Sequence, residues 1–172
     1  MKKIMQAALL VMVAISFNFA DASAASNDKY KPFVLASNGV GTMAASVAEV
    51  SAKLQAAGLE IVGTHSPYPT ATILVVTNDE MKKAAAKSER GGFGAAQRVA
   101  ITDQGGEIQV SYTNPYYMVG AYRMDGNLGF AAKALEGALG KVEEYGMSGG
   151  MSDRSLRDYH YMFGMEYFTD PH

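Results

Sequence analysis

The chain has 172 residues, is 48% apolar and 19% charged, and carries a net charge of −2. That length predicts one domain and that composition a globular one, while near-neutral charge lacks the basic excess of a nucleic-acid-binding surface, so no nucleic-acid partner is expected. There is no cysteine, which excludes disulfides, zinc-thiolate sites, iron–sulfur clusters, thiol catalysis and c-type haem attachment.

The N-terminus opens with Lys2 and Lys3, runs apolar from Ile4 to Phe19 except at Gln6, Ser16 and Asn18, and reaches Ala22-Ser23-Ala24. A basic start, an apolar run somewhat short for a full span and a small-x-small site read as a secretory signal peptide over residues 1–24. Cleavage after Ala24 leaves a single α+β domain at 25–172, with 13 basic and 16 acidic residues and a net charge of −3. No later stretch is apolar for long enough to cross a bilayer. The expected location is the periplasm, with no membrane contact after cleavage.

Residues 25–31 are a polar lead-in, and Phe33 to Ala36 a first strand. Met43, Val47, Val50, Leu54 and Ala57 recur at helical spacing, with Gly58 as the residue that ends the helix. Leu59 to Gly63 resumes as a strand, Pro67 and Pro69 mark a turn, and Ala71 to Val76 is an apolar strand covered on both faces. Asn78 or Asp79 caps a helix through about Ser88. Arg90 to Gly94 is a loop, and Gln97 to Thr102 and Glu107 to Thr113 form a hairpin around Gln104-Gly105-Gly106. Asn114-Pro115 opens a helix to about Met124. After a turn at 125–127, Leu128, Ala132, Leu135, Leu139 and Val142 form a second helical stripe. Gly146 to Gly150 is loose, Ser152 or Asp153 caps a short helical turn, and Tyr159 to Phe168 is a last strand.

This order predicts an α+β two-layer sandwich: a mostly antiparallel sheet with helices packed on one face. The other face then needs a cover, which a homodimer would supply.

Ser46 to Leu54 running through Ala57-Gly58 into Leu59-Glu60-Ile61-Val62, Thr113-Asn114-Pro115 ahead of a helix, and a terminal strand together resemble the domain-of-unknown-function 302 family over roughly 33–168. The chain adds a secretory segment and a Gly/Met-rich stretch at 146–151 to that pattern. The resemblance implies a two-layer α+β fold and a dimer, and it implies no activity, so no catalytic residue is assigned.

Three concentrations of residues could carry chemistry. Tyr112 to Arg123 gathers a strand end, a capped helix start, four tyrosines and an arginine. Tyr116, Gly120 and Arg123 share a helical face, and Gly120 allows close approach. Tyr112, Asn114, Tyr116 and Arg123 are the candidate ligand contacts, with Arg98 as a further cation for the same pocket; the alternative is a helix packed on the sheet with its phenols at the rim. In the last strand, Tyr159, Tyr161, Phe163, Met165 and Tyr167 share one face, and His160, Met162, Gly164 and Glu166 the other. His160 with Met162 is a soft ligand pair for copper, or an axial haem pair, with Met151, Met147 or Met165 in support; methionine as core filler is the alternative. His65-Ser66-Pro67-Tyr68-Pro69 is a rigid loop whose imidazole could do acid–base work beside a carboxylate. Gly91-Gly92-Phe93-Gly94 precedes a strand, so it lacks the helix start that holds a phosphate. Walker A and His-Glu-x-x-His motifs are absent.

The sequence thus supports a periplasmic, non-enzymatic binding protein for a small molecule or another periplasmic protein. A copper- or haem-binding protein using His160 and Met162, and an enzyme with a site near His65, are the two alternatives.

Overall fold

Alternating strands build the sheet, and the two helical stripes close over it. The computed structural model describes residues 28–160. Its main sheet has six strands in the order β3-β4-β5-β6-β2-β7: β2 Phe33–Val40, β3 Glu60–Tyr68, β4 Ala71–Thr77, β5 Gln97–Asp103, β6 Glu107–Thr113 and β7 Glu143–Tyr145. Every neighbouring pair is antiparallel. A separate two-stranded ribbon pairs β1 Lys29–Tyr30 with β8 Met151–Ser152. The fold is α+β, with helices α1 Met43–Ala56 and α4 Gly129–Leu139 on one face of the sheet.

Register decides which side chains meet those helices. Val34, Tyr112, Val99 and Leu74 stand opposite one another across four strands, and all are buried. Val50 and Leu54 of α1 and Leu135 and Leu139 of α4 join the same core. One position along, Leu35, Ser111, Ala100, Ile73 and His65 form a row on the opposite face. There Leu35, Ala100 and Ile73 are half-buried.

The ends of the helices follow their local chemistry. Thr42 caps α1 through its hydroxyl, which accepts from the Ala45 N–H at 3.3 Å. Gly58, at φ 77°, ends it, with Leu59 N–H donating to the Leu54 carbonyl and Gly58 N–H to that of Gln55. Asn78 caps α2 Asp79–Ala85, which stops short of Ser88. The Gly91–Gly94 segment is a 3-10 turn rather than an open loop. A Cβ at Gly91 would collide with the Ala85 carbonyl, so the glycine lets this turn lie against the end of α2.

Several expected boundaries move. β3 continues through His65 to Tyr68, so the His65–Pro67 segment is strand rather than loop. Proline is admitted because β3 is an edge strand with no partner on its outer side. α3, Pro115–Ala121, ends before Met124, and α4 ends at Leu139, leaving Val142 exposed outside the stripe. Of the expected last strand, Tyr159 and the bridge residue His160 are described, and positions 161–168 lie outside the described residues.

Candidate ligand-binding cavity

The site begins at the junction of β6 and α3. Asn114 is 2% exposed, and both of its side-chain polar atoms are hydrogen-bonded. Its side-chain oxygen accepts from the Tyr116 N–H at 3.2 Å, its amide donates to the Lys31 carbonyl at 2.9 Å, and its own N–H donates to the Pro32 carbonyl at 2.9 Å. These bonds fix the start of α3 against the chain entering β2.

α3 ends in the backbone pattern that glycine usually serves. Arg123 holds φ 48°, while Met124 N–H donates to the Val119 carbonyl and Arg123 N–H to that of Gly120. The short helix α5, Asp153–Arg157, then packs across α3. Ser152 caps it. Arg157 pairs with Asp153 at 2.7 Å and donates to the Met124 carbonyl at 2.9 Å, and Arg123 Nε donates to the Arg157 carbonyl at 2.7 Å. Gly120 makes the approach possible, since a Cβ there would lie 2.8 Å from Leu156 Cβ.

Between α3, α5 and the Phe33–Thr113 end of the sheet lies a cavity of about 310 Å3. Its walls include Tyr117, Met118 and Ala121 from α3 and Tyr122 just past its end, Leu156 from α5, Phe33 and Arg98 from the sheet, and Met147, Met151 and Tyr159. A second hollow of about 160 Å3 continues along the sheet face past Ile73 and Ala100, and both share Phe33, Arg98 and Thr113. Arg98 is the one formally charged side chain lining either hollow among the described residues. Its backbone N–H donates to the Thr113 hydroxyl at 3.1 Å, and its guanidinium finds no hydrogen bond or ion pair among the described residues. Burial, with the nearby Tyr159 and Tyr122 phenols, pushes the Tyr117 hydroxyl above its ordinary pKa and keeps it a protonated donor.

Of the candidate ligand residues, none is among the described walls of the larger cavity. Tyr112 points into the core, where its hydroxyl donates to the Gly140 carbonyl at 3.3 Å, and it borders the smaller hollow. Asn114 is a cap. Tyr116 stacks on Tyr30 with ring centroids 5.2 Å apart. Arg123 ties α3 to α5. Arg98 does line the cavity. Tyr117-Met118 and Ala121-Tyr122, two doublets four residues apart, form the stripe that meets the cavity, on a different side from Tyr116 and Arg123.

His160 follows Tyr159 at the cavity wall, and Met162 lies outside the described residues. Met147 and Met151 do come to the cavity, joined by Met118. No cluster of three or more His, Asp or Glu suited to a metal occurs among the described residues. His65 is exposed in β3 opposite Ile73, and the neighbouring Ser66 hydroxyl bonds Thr72 at 3.0 Å. No family model matches the chain, and no curated protein or solved structure matches it.

Proposed function

We propose that the chain is an exported, non-enzymatic binding protein that holds a small, largely apolar molecule between α3, α5 and the end of the sheet. The carrying observation is the cavity itself: about 310 Å3, walled by aromatic, methionine and aliphatic side chains with a few polar groups at its edge. Pockets that bind small organic molecules have this size and make-up. Export to the periplasm is supported by the basic, apolar and small-residue order of positions 1–24. Placement in the domain-of-unknown-function 302 family is supported by α1 running through Gly58 into β3 and by Asn114-Pro115 opening α3.

The test is a fluorescence titration of the full mature chain with phenylnaphthylamine, a neutral apolar dye that brightens when it leaves water. Saturable binding of one dye per chain is expected. Ala121→Phe, which places a ring in the cavity from the end of α3, removes that binding while leaving the melting temperature within a few degrees. Binding that ignores this substitution places the dye elsewhere and ends the proposal.

A second reading is a copper(I) site, favoured by one observation: the thioethers of Met118, Met147 and Met151 border a single cavity. Thioethers select copper(I) over harder ions. A copper(I) titration separates the two readings, because paired Met147→Leu and Met151→Leu substitutions conserve volume. They abolish metal uptake if the thioethers are ligands and leave dye binding intact.

A further inference from the structure

An apolar cavity admits many molecules, and Arg98 narrows the class. The residue stands on the sheet face away from α1 and α4, opposite Val75 on β4. It lies where the 310 Å3 cavity and the 160 Å3 hollow meet, with Tyr117, Met118 and Tyr122 on one side and Ile73 and Ala100 on the other. Arginine side chains placed among apolar groups are ordinarily held by a carboxylate or a carbonyl. This guanidinium has neither among the described residues. It is exposed, so water satisfies it in the free protein, and its planar fork stays available for an incoming oxyanion. No acidic side chain lines either hollow among the described residues to compete for it or repel an anion.

We infer that the occupant is an amphipathic organic anion, whose single oxyanion head pairs with Arg98 and whose apolar body lies against Tyr117, Met118, Tyr122 and Leu156. This rests on the cavity reading above and specifies its ligand class. Tyr117, Tyr122 and Tyr159 edge the same space. The Tyr117 phenol, held protonated by its burial, can donate a further bond to the head group.

Two dyes with the same ring system test this: phenylnaphthylamine, which is neutral, and anilinonaphthalene sulfonate, which carries one anionic head. The full mature chain is expected to bind the sulfonate about tenfold or more tightly than the neutral dye. Arg98→Gln lowers sulfonate affinity by about tenfold and changes neutral-dye affinity less than about twofold. Arg98→Lys, which keeps the charge and loses the fork, falls between. Added salt weakens sulfonate binding in the parent chain and not in Arg98→Gln. Equal affinity for the two dyes, or a loss in Arg98→Gln that is the same for both, overturns the anion inference and leaves the apolar cavity standing. Failure of both dyes to bind, or binding of both that survives Ala121→Phe, removes the cavity reading and this one with it.

Discussion

Tyr112 and Asn114 sit two residues apart, and both use their polar atoms to hold the fold. Tyr112 lies 3% exposed under α4, with its hydroxyl on the Gly140 carbonyl just past the helix end. Burial, reinforced by the charges of Glu136 and Glu144, pushes its phenol up to about 12. An unfolded tyrosine titrates near pH 10, so the folded chain keeps this proton more tightly than the unfolded one. The resulting stability is complete below about pH 10 and is lost as pH rises towards 12. Tyr112→Phe is therefore expected to flatten the alkaline limb of a denaturation-midpoint profile and to cost only about 1 kcal/mol at neutral pH, where one long hydrogen bond is lost. A parent-like alkaline fall in the variant would assign that limb to other groups. Asn114 shows why a polar residue in an aromatic neighbourhood misleads: Asn before Pro correctly marked a helix start, and the same engaged cap cannot also turn outward to a ligand.

At the scale of elements, the cavity exists because α5 can lie on α3. Gly120 is the contact point: an added Cβ would meet Leu156 Cβ at 2.8 Å, Leu156 Cδ1 at 2.9 Å and Asp153 Oδ1 at 3.1 Å. Gly120→Ala would regain up to about 1 kcal/mol of helix propensity, but overpacking against a backbone-fixed Cβ typically costs roughly 1–3 kcal/mol. The expected outcome is a net loss of about 1 kcal/mol in denaturant unfolding, with weaker dye binding because Leu156 moves with α5. Unchanged stability together with unchanged dye affinity would mean that α5 does not shape the cavity. The long elements were legible in the sequence because α1 and α4 carry apolar residues over several turns and β4, β5 and β6 have enough length to show strand character. β1, β7 and β8 are two or three residues long, too short to display a period. The extension of β3 across Pro67 depends on its place at the sheet edge, which no local pattern encodes. The cavity was legible only in part: Arg98 was noticed, while its walls come from α3, α5 and β2, whose meeting is a property of topology rather than spacing.

The whole molecule poses a question of cover. α1 and α4 bury one face of the sheet, and the other carries the half-buried row of Leu35, Ala100 and Ile73, with Val75 beside it and Val62 52% exposed on the edge strand β3. A two-layer fold that leaves aliphatic groups on its outer sheet face gains by burying them against a second surface of the same kind, because an isologous pairing sets the same apolar patch of each partner against the other. A stable pairing of this type covers about 800 Å2 on each partner, which is within the reach of a six-stranded sheet. The chain is therefore expected to be a homodimer by light scattering at micromolar concentration, and Ile73→Glu to shift it to monomer without unfolding it. Ile73 is the discriminating position because it stands mid-row between His65 and Ala100, where a carboxylate would be buried in an apolar interface. A parent chain that runs as a monomer at every concentration would refute the dimer. A dimer that survives Ile73→Glu would move the interface to another surface. The same experiment bears on ligand capture, since Ile73, Ala100 and Arg98 border one hollow. If dimerisation covers that hollow, dye affinity in Ile73→Glu departs from the parent value even though the walls of the larger cavity are untouched.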